Sequence, residues 1–125
     1  MYELSQRFFF NAAHTLHRDC DAEGSRRIHG HTYHAEISVV GEPAYSSGMV
    51  TDLGLIQAAI ANMRPKLDHQ FLDEVAGLGV PTLENLCLFI WKELSDVVPN
   101  ISQVCVERQA SGDRCVFRPS AQSSQ

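Results

Sequence analysis

Two segments near the N-terminus alternate apolar and polar residues with a period of two. From Tyr2 to Ala13 the even positions are mostly apolar and the odd positions mostly polar. The alternation resumes from His31 to Val40, after a polar loop. Successive side chains of a β-strand point to opposite faces, so the pattern predicts two long, half-buried strands. A sheet built from these strands has one apolar face and one polar face.

Two amphipathic helices are predicted between residues 52 and 99. Asp52 is the predicted N-cap of the first helix and Pro65 its predicted end or kink. Thr82 opens the second helix, which ends near Pro99. Apolar residues recur at intervals of three and four, the spacing of one helix face. They are Leu53, Ile56, Ile60 and Met63 in the first helix, and Leu86, Phe89, Ile90, Leu94 and Val97 in the second.

Two short strands are predicted after the helices, at residues 101–109 and 114–118, with a turn at Ser111-Gly112-Asp113 between them. The element order predicts an α+β fold in which two helices cover one face of a four-stranded antiparallel sheet. Because 125 residues suffice for one compact core, residues 1–118 are predicted to form a single domain. The Ser- and Gln-rich segment 119–125 is predicted to be a disordered tail.

Charge and composition argue against nucleic-acid and membrane partners. The net charge is −5, and the basic cluster of Arg26 and Arg27 is too small for a duplex-binding face. No signal-like N-terminus and no apolar run of about 18 residues is found, so a cytoplasmic location is expected. The four cysteines form no CxxC pair and are predicted to be free thiols: Cys20, Cys87, Cys105 and Cys115.

Three histidines lie where the two predicted strands meet. His29 and His31 are two residues apart, so their imidazoles point to one side if the strand begins there. His14 closes the first strand and approaches them if the strands pair as a hairpin. Three imidazoles leave one open position on a tetrahedral Zn²⁺, which is typical of a catalytic site. The alternative interpretation is three unrelated polar residues at strand ends.

Five motifs occur in order between residues 8 and 118. They are Phe10-Asn-Ala-Ala-His14, Ile28-His29-Gly30-His31-Thr-Tyr33, Leu67-Asp68-His69 followed by Leu72-Asp73, Pro81-Thr82-Leu83-Glu84-Asn85, and Glu107 on the late strand. Together they resemble the 6-pyruvoyltetrahydropterin synthase and 6-carboxytetrahydropterin synthase family. The resemblance implies the tunnelling fold, in which three subunits close a β-barrel and two such rings stack. A homohexamer is therefore expected, with the polar sheet face lining the barrel lumen.

The resemblance also implies roles for individual residues. His14, His29 and His31 would bind Zn²⁺, and Asp68 with His69 would form an acid/base pair. An alternative role for Asp68 is to cap a turn.

Pterin binding is implied for a second group of residues. Glu107 would accept hydrogen bonds from the N–H groups of the pterin, and Thr82 with Leu83 and Glu84 would contact its ring. Other roles are open for each charged or polar member of this group. Glu107 could be a solvated charge in the lumen, Thr82 only a helix N-cap, and Glu84 a charge favoured by the helix dipole.

One position departs from the family pattern. The family usually has a cysteine four residues before the HGH motif, and this chain has Ser25 there. A serine hydroxyl is a far weaker acid than a thiol, so the catalytic base is open. The candidates are Ser25, Cys20 on the same loop, His69, or a zinc-bound water. Arg26 and Arg27 are candidates for contact with a triphosphate.

The resemblance predicts a zinc-dependent lyase that acts on 7,8-dihydroneopterin triphosphate. The favoured activity is 6-carboxy-5,6,7,8-tetrahydropterin synthase, a step of queuosine and deazapurine biosynthesis, because the chain is short. The alternatives are 6-pyruvoyltetrahydropterin synthase activity, a pterin-binding protein that lost catalysis with the cysteine, and another tunnelling-fold enzyme.

Overall fold

The computed structural model describes residues 1–15 and 28–120. In these residues it has four strands and two α-helices: β1 (Tyr2–His14), β2 (His29–Gly41), α1 (Leu53–Met63), α2 (Leu83–Leu94), β3 (Ile101–Arg108) and β4 (Asp113–Phe117). The strands form one antiparallel sheet in the order β1-β2-β3-β4. The predicted α+β architecture is thus confirmed. Two short 3-10 turns lie between the helices, at Arg64–Lys66 and Leu72–Glu74.

The hairpin of β1 and β2 determines where the histidines lie. Its register runs without interruption from Tyr2 opposite Gly41 to His14 opposite His29. Strand β2 begins at His29, two residues earlier than the alternation predicted. The HGH motif therefore belongs to the strand itself, and its two imidazoles are fixed on one face by the pleat.

The core lies between the helices and the apolar sheet face. Phe10 is fully buried and stacks on Tyr33, with 5.0 Å between the ring centroids. Most of the predicted helix positions are buried there: Ile56, Ile60, Met63, Leu86, Phe89, Ile90 and Leu94. Two predicted core positions are wrong, because Leu53 is 38% exposed and Val97 is 52% exposed. Helix α2 ends at Leu94, so the helical spacing stops there and Val98 is buried instead.

Both predicted helix N-caps are present. The Asp52 side chain accepts the backbone N–H of Gly54 at 2.8 Å, and Thr82 accepts that of Asn85 at 3.1 Å. Helix α1 ends at Met63, and Pro65 lies in the following 3-10 turn. Proline lacks the backbone N–H that would continue the α-helix.

The opposite sheet face is polar. Arg7 pairs with Glu36 at 2.8 Å, and the hydroxyls of Ser5 and Ser38 are 2.9 Å apart. Within residues 1–15 and 28–120, no helix is both long enough and apolar enough to span a bilayer. In the same part of the chain the cysteines, Cys87, Cys105 and Cys115, are free thiols, as predicted.

Truncation of the central core aromatic is expected to be strongly destabilising. Phe10→Ala should lower the free energy of unfolding by about 3–5 kcal/mol, because it removes buried ring area and leaves a cavity beside Tyr33. Tyr45→Ala is the control, since that aromatic side chain is fully exposed. Chemical denaturation at one fixed protein concentration measures both variants. Equal midpoints for Phe10→Ala and Tyr45→Ala would contradict the core position of Phe10.

Candidate metal centre and active site

Three histidines converge at one end of the sheet. The nearest candidate ligand atoms of His14, His29 and His31 all lie within 4.8 Å of one another. Their ring centroids are 4.5 Å apart for His14 and His29, 4.9 Å for His14 and His31, and 5.1 Å for His29 and His31. The arrangement follows from the hairpin, which sets His14 opposite His29 and leaves His31 on the same face.

The ring nitrogens of this cluster fit a metal ion. The side chain of His14 is 2% exposed, and the Nε2 atoms of His14 and His31 are buried with no hydrogen-bond partner among the described residues. His14 Nδ1 lies 3.2 Å from the carbonyl oxygen of Thr15, which places the hydrogen on Nδ1 and a lone pair on Nε2. A backbone carbonyl on the second ring nitrogen is typical of metal-ligating histidines.

Burial keeps these imidazoles in the form that binds metals. Desolvation lowers the pKa of His31 to about 4, and the neighbouring His14 contributes in the same direction. Desolvation likewise lowers the pKa of His14 below its usual value. Both rings are therefore neutral near pH 7 in the metal-free protein, and a metal need not displace a proton from them.

Asp73 anchors the end of β1 beside the cluster. Its carboxylate accepts the backbone N–H of Thr15 at 2.9 Å and also the Thr15 hydroxyl. Burial raises the pKa of Asp73, but these hydrogen bonds outweigh it and the net pKa is lowered. Sequence reasoning noted Asp73 only as part of a motif and assigned it no role. Its contacts tie the backbone next to His14 to the 3-10 turn at Leu72–Glu74.

The predicted acid/base pair lies along the free edge of β1. The distance from Asp68 Oδ2 to His69 Nε2 is 3.5 Å. Asp68 Oδ1 accepts the backbone N–H of Asn11 at 2.9 Å, and Arg64 lies 3.4 Å from Oδ2. Asp68 is thus held by the strand edge as well as placed to orient the imidazole. Both the orienting role and the turn-anchoring alternative are compatible with these contacts.

His69 has an unusual backbone conformation. Its φ is +60°, in the left-handed region, and its N–H donates to the carbonyl oxygen of Asn11 at 2.6 Å. The side chain is 80% exposed. Together with His31, it lines an open cavity of about 600 Å³ whose floor is formed by the ends of β1 and β2. The structure therefore brings His69 of the predicted pair and one predicted metal ligand, His31, to the same cavity.

Glu107 lies on the polar sheet face. It pairs with His34 across β2 and β3, and its carboxylate accepts a hydrogen bond from Gln109 Nε2 at 3.1 Å. Arg114 Nε is 4.0 Å from the same carboxylate. Glu107 lines a second cavity of about 360 Å³, with Arg7 and Glu36 among its other lining residues.

The remaining predicted site residues separate into two groups. Thr82 serves as the N-cap of α2, with Leu83 and Glu84 in the first turn of that helix. Cys20 and Ser25, the candidate catalytic residues of the loop, lie outside the described residues, as do Arg26 and Arg27.

Sequence reasoning missed Arg108, the last residue of β3. Its guanidinium donates to Asp113 at 2.7 Å. Burial raises the pKa of the Tyr33 phenol to about 12, and the charge of Arg108 acts against this rise. The charge of Arg108 also contributes to the lowered pKa values of His14 and His31. Strand alternation could have predicted the position of Arg108. Because Glu107 lies on the polar face, the next side chain of the strand points to the apolar face.

Known proteins resemble this chain over nearly its whole length. The sequence profile of the family described as 6-pyruvoyl tetrahydropterin synthase matches residues 3–119. A relative from Archaeoglobus fulgidus, named a putative 6-carboxy-5,6,7,8-tetrahydropterin synthase, is 32% identical over 99 residues, which cover 78% of this chain and 79% of the relative.

Two solved structures share the fold. The 6-pyruvoyl tetrahydropterin synthase of Caenorhabditis elegans superposes with a TM-score of 0.82 at 25% identity, over 95% of this chain and 96% of that one. A Plasmodium vivax 6-pyruvoyltetrahydropterin synthase has a TM-score of 0.71 at 17% identity, over 94% of this chain and 98% of that one. That protein carries a glutamate-to-alanine change at a catalytic residue.

Proposed function

The chain belongs to the 6-pyruvoyl tetrahydropterin synthase family, and from this premise we propose that it is a zinc-dependent lyase acting on 7,8-dihydroneopterin triphosphate. The observation that carries the proposal is the cluster of His14, His29 and His31, with its two buried ring nitrogens that lack partners among the described residues. We favour 6-carboxy-5,6,7,8-tetrahydropterin synthase activity, in keeping with the name of the Archaeoglobus fulgidus relative. The alternative product is 6-pyruvoyltetrahydropterin.

The three imidazoles would hold Zn²⁺ with one position left for a ligand oxygen. When bound, the ion supplies Lewis-acid polarisation of hydroxyl groups on the substrate side chain. Asp73 and Thr15 keep the end of β1 fixed, and the Thr15 carbonyl orients the His14 ring. The protein thereby holds its ligands in place before the ion or the substrate arrives.

His69 is proposed to transfer the proton. Its Nε2 faces Asp68, so the carboxylate stabilises a hydrogen there and leaves Nδ1 to accept a proton from the substrate. Histidine is the side chain that most often acts as a general acid or base in enzymes. The shared cavity of His69 and His31 supports this role.

Glu107 is proposed to anchor the pterin ring. A carboxylate matches two adjacent N–H donors and gives charge-assisted hydrogen bonds. Thr82, Leu83 and Glu84 are proposed to add contacts at the start of α2, where backbone N–H groups and the helix dipole lie.

A hexamer built from two trimers is proposed for the assembly. The polar sheet face would line the lumen of a barrel closed by three copies, which explains ion pairs such as Arg7 with Glu36 on a regular sheet surface. Light scattering coupled to gel filtration would measure the mass. A stable monomer at micromolar concentration would exclude the barrel.

The activity is tested by incubating purified protein of known zinc content with 7,8-dihydroneopterin triphosphate and identifying the products by mass spectrometry. The proposal expects about one zinc per chain and 6-carboxytetrahydropterin as the product. Formation of 6-pyruvoyltetrahydropterin would establish the alternative lyase. Bound zinc and pterin without turnover would favour a binding protein that lost catalysis.

The sequence before β2 contains two of the candidates for the catalytic base, Ser25 and Cys20. The Plasmodium vivax protein has a glutamate as a catalytic residue, and Glu23 of this chain lies two residues before Ser25 and three after Cys20. A carboxylate is a competent base where a serine hydroxyl is not. We therefore add Glu23 to the candidates Ser25 and Cys20.

Substitution of each candidate distinguishes them. Glu23→Gln is expected to lower kcat by about 10²-fold or more, in the range typical of a lost general base, whereas Ser25→Ala and Cys20→Ala should change it little. Steady-state kinetics at matched zinc content provide the measurement. A large loss in Ser25→Ala with full activity in Glu23→Gln would reverse this assignment. Near-zero activity in the unmodified chain that Ser25→Cys raises strongly would support the binding-protein alternative.

A further inference from the structure

Arg108 borders the histidine cluster on the apolar side of the sheet. Its neighbours on β3 place it beside Tyr33, since Val106 pairs with Ala35 and Glu107 with His34. The guanidinium lies close enough to the Tyr33 phenol for its positive charge to act against the rise in the pKa of that phenol caused by burial. The Tyr33 ring lies 5.7 Å from that of His31 and 6.5 Å from that of His14, centroid to centroid. A permanent positive charge therefore lies next to the proposed metal site.

The hydrogen bonds of this guanidinium are incomplete. An arginine side chain offers five N–H donors and no acceptor. Arg108 Nη2 donates to Asp113, but its Nε is buried and has no hydrogen-bond partner within the described residues. Leaving a charged donor buried without an acceptor is costly, so the guanidinium is under-satisfied. The side chain as a whole is 24% exposed, and a ligand oxyanion can therefore approach the guanidinium from its accessible side.

The charges of the site call for a negatively charged ligand atom. Asp113 offsets the charge of Arg108, whereas the cluster of His14, His29 and His31 contains no carboxylate or thiolate that would offset the charge of a divalent ion. Any remaining repulsion between the guanidinium and a divalent ion is reduced further by an anion that lies between them. An oxyanion would satisfy both the Arg108 donor and the ion.

We infer that Arg108 is a further ligand-binding residue of this site and that it binds an oxyanion carried by the ligand, either a phosphate or a carboxylate. The planar fork of a guanidinium matches the geometry of both groups. The inference rests on the proposed function, in which the substrate carries a triphosphate and the favoured product a carboxylate. Arg108 thus selects ligands with an anionic substituent over neutral pterins.

Calorimetric binding with three probes tests the inference: inorganic tripolyphosphate, pterin-6-carboxylate and unsubstituted pterin. The unmodified protein and the variants are loaded with zinc and compared at equal zinc content. Arg108→Gln is expected to lower the affinity for one of the two anionic probes by about tenfold to a hundredfold. The affinity for unsubstituted pterin should be unchanged. The probe affected identifies the source of the oxyanion. Arg118→Gln is the control, because it removes an equal charge at an exposed position.

Arg108→Lys tests whether the loss of anion affinity arises from the guanidinium itself or from a disturbed site. It keeps the charge but loses the planar pair of donors, so an intermediate loss of anion affinity is expected. Unchanged affinities for both anionic probes in Arg108→Gln, or no binding of either probe to the unmodified protein, would overturn the inference. An equal loss of affinity for all three probes would also overturn the inference, because that result indicates a disturbed site. Absent turnover with intact, Arg108-dependent anion binding would instead count against the proposed lyase alone.

Discussion

His31→Ala is expected to reduce bound zinc from about one ion per chain to near zero and to abolish turnover. His31 is one of three clustered imidazoles, and its buried Nε2 has no other partner among the described residues. Two remaining ligands hold a divalent ion far more weakly than three. Dialysis against a buffer that contains a chelator would therefore remove the ion from the variant. Metal analysis after such dialysis measures the effect.

His34→Ala is the matched control for this experiment. His34 lies on the same strand, but its side chain is on the polar face and contacts Phe9, with 6.2 Å between ring centroids. Its zinc content should equal that of the unmodified protein. A full equivalent of zinc in His31→Ala, at unchanged circular dichroism, would show that the cluster is not the metal site.

His69→Asn is expected to lower kcat by about 10²–10⁴-fold, the usual contribution of a general acid or base. Asparagine is the appropriate replacement because the φ of +60° at this position is tolerated by asparagine better than by alanine. Zinc content and pterin affinity should remain unchanged, since the side chain is 80% exposed. Single-turnover kinetics at saturating substrate measure the chemical step.

Asp68 is less suitable for the same test. Its carboxylate also accepts the Asn11 N–H and lies 3.4 Å from Arg64, so Asp68→Asn would disturb the edge of β1 as well as the imidazole. Gln70→Ala serves as a control for His69→Asn, because Gln70 lines the same cavity. A kcat of His69→Asn within about threefold of the unmodified protein would remove His69 from the proposed mechanism.

The fold was predicted from local patterns that depend on few neighbours. The period-two alternation of β1 and β2 and the caps at Asp52 and Thr82 act within a few residues, and the structure has all of them. The prediction for Val97 was wrong because the end of α2 at Leu94 changes which residue the chain turns inward. Helix ends are set by packing as well as by the local sequence.

By itself, the sequence determined the element order and the polar and apolar sheet faces. It also indicated which three histidines lie together where β1 and β2 meet. These follow from side-chain periodicity and residue type. Only the tertiary structure showed that His31 and His69 share a cavity, that Asp73 holds the strand end, and that Arg108 lies beside Tyr33. Such contacts join residues far apart in the chain or on different strands. They depend on strand register and on the reach of long side chains, which no local pattern specifies.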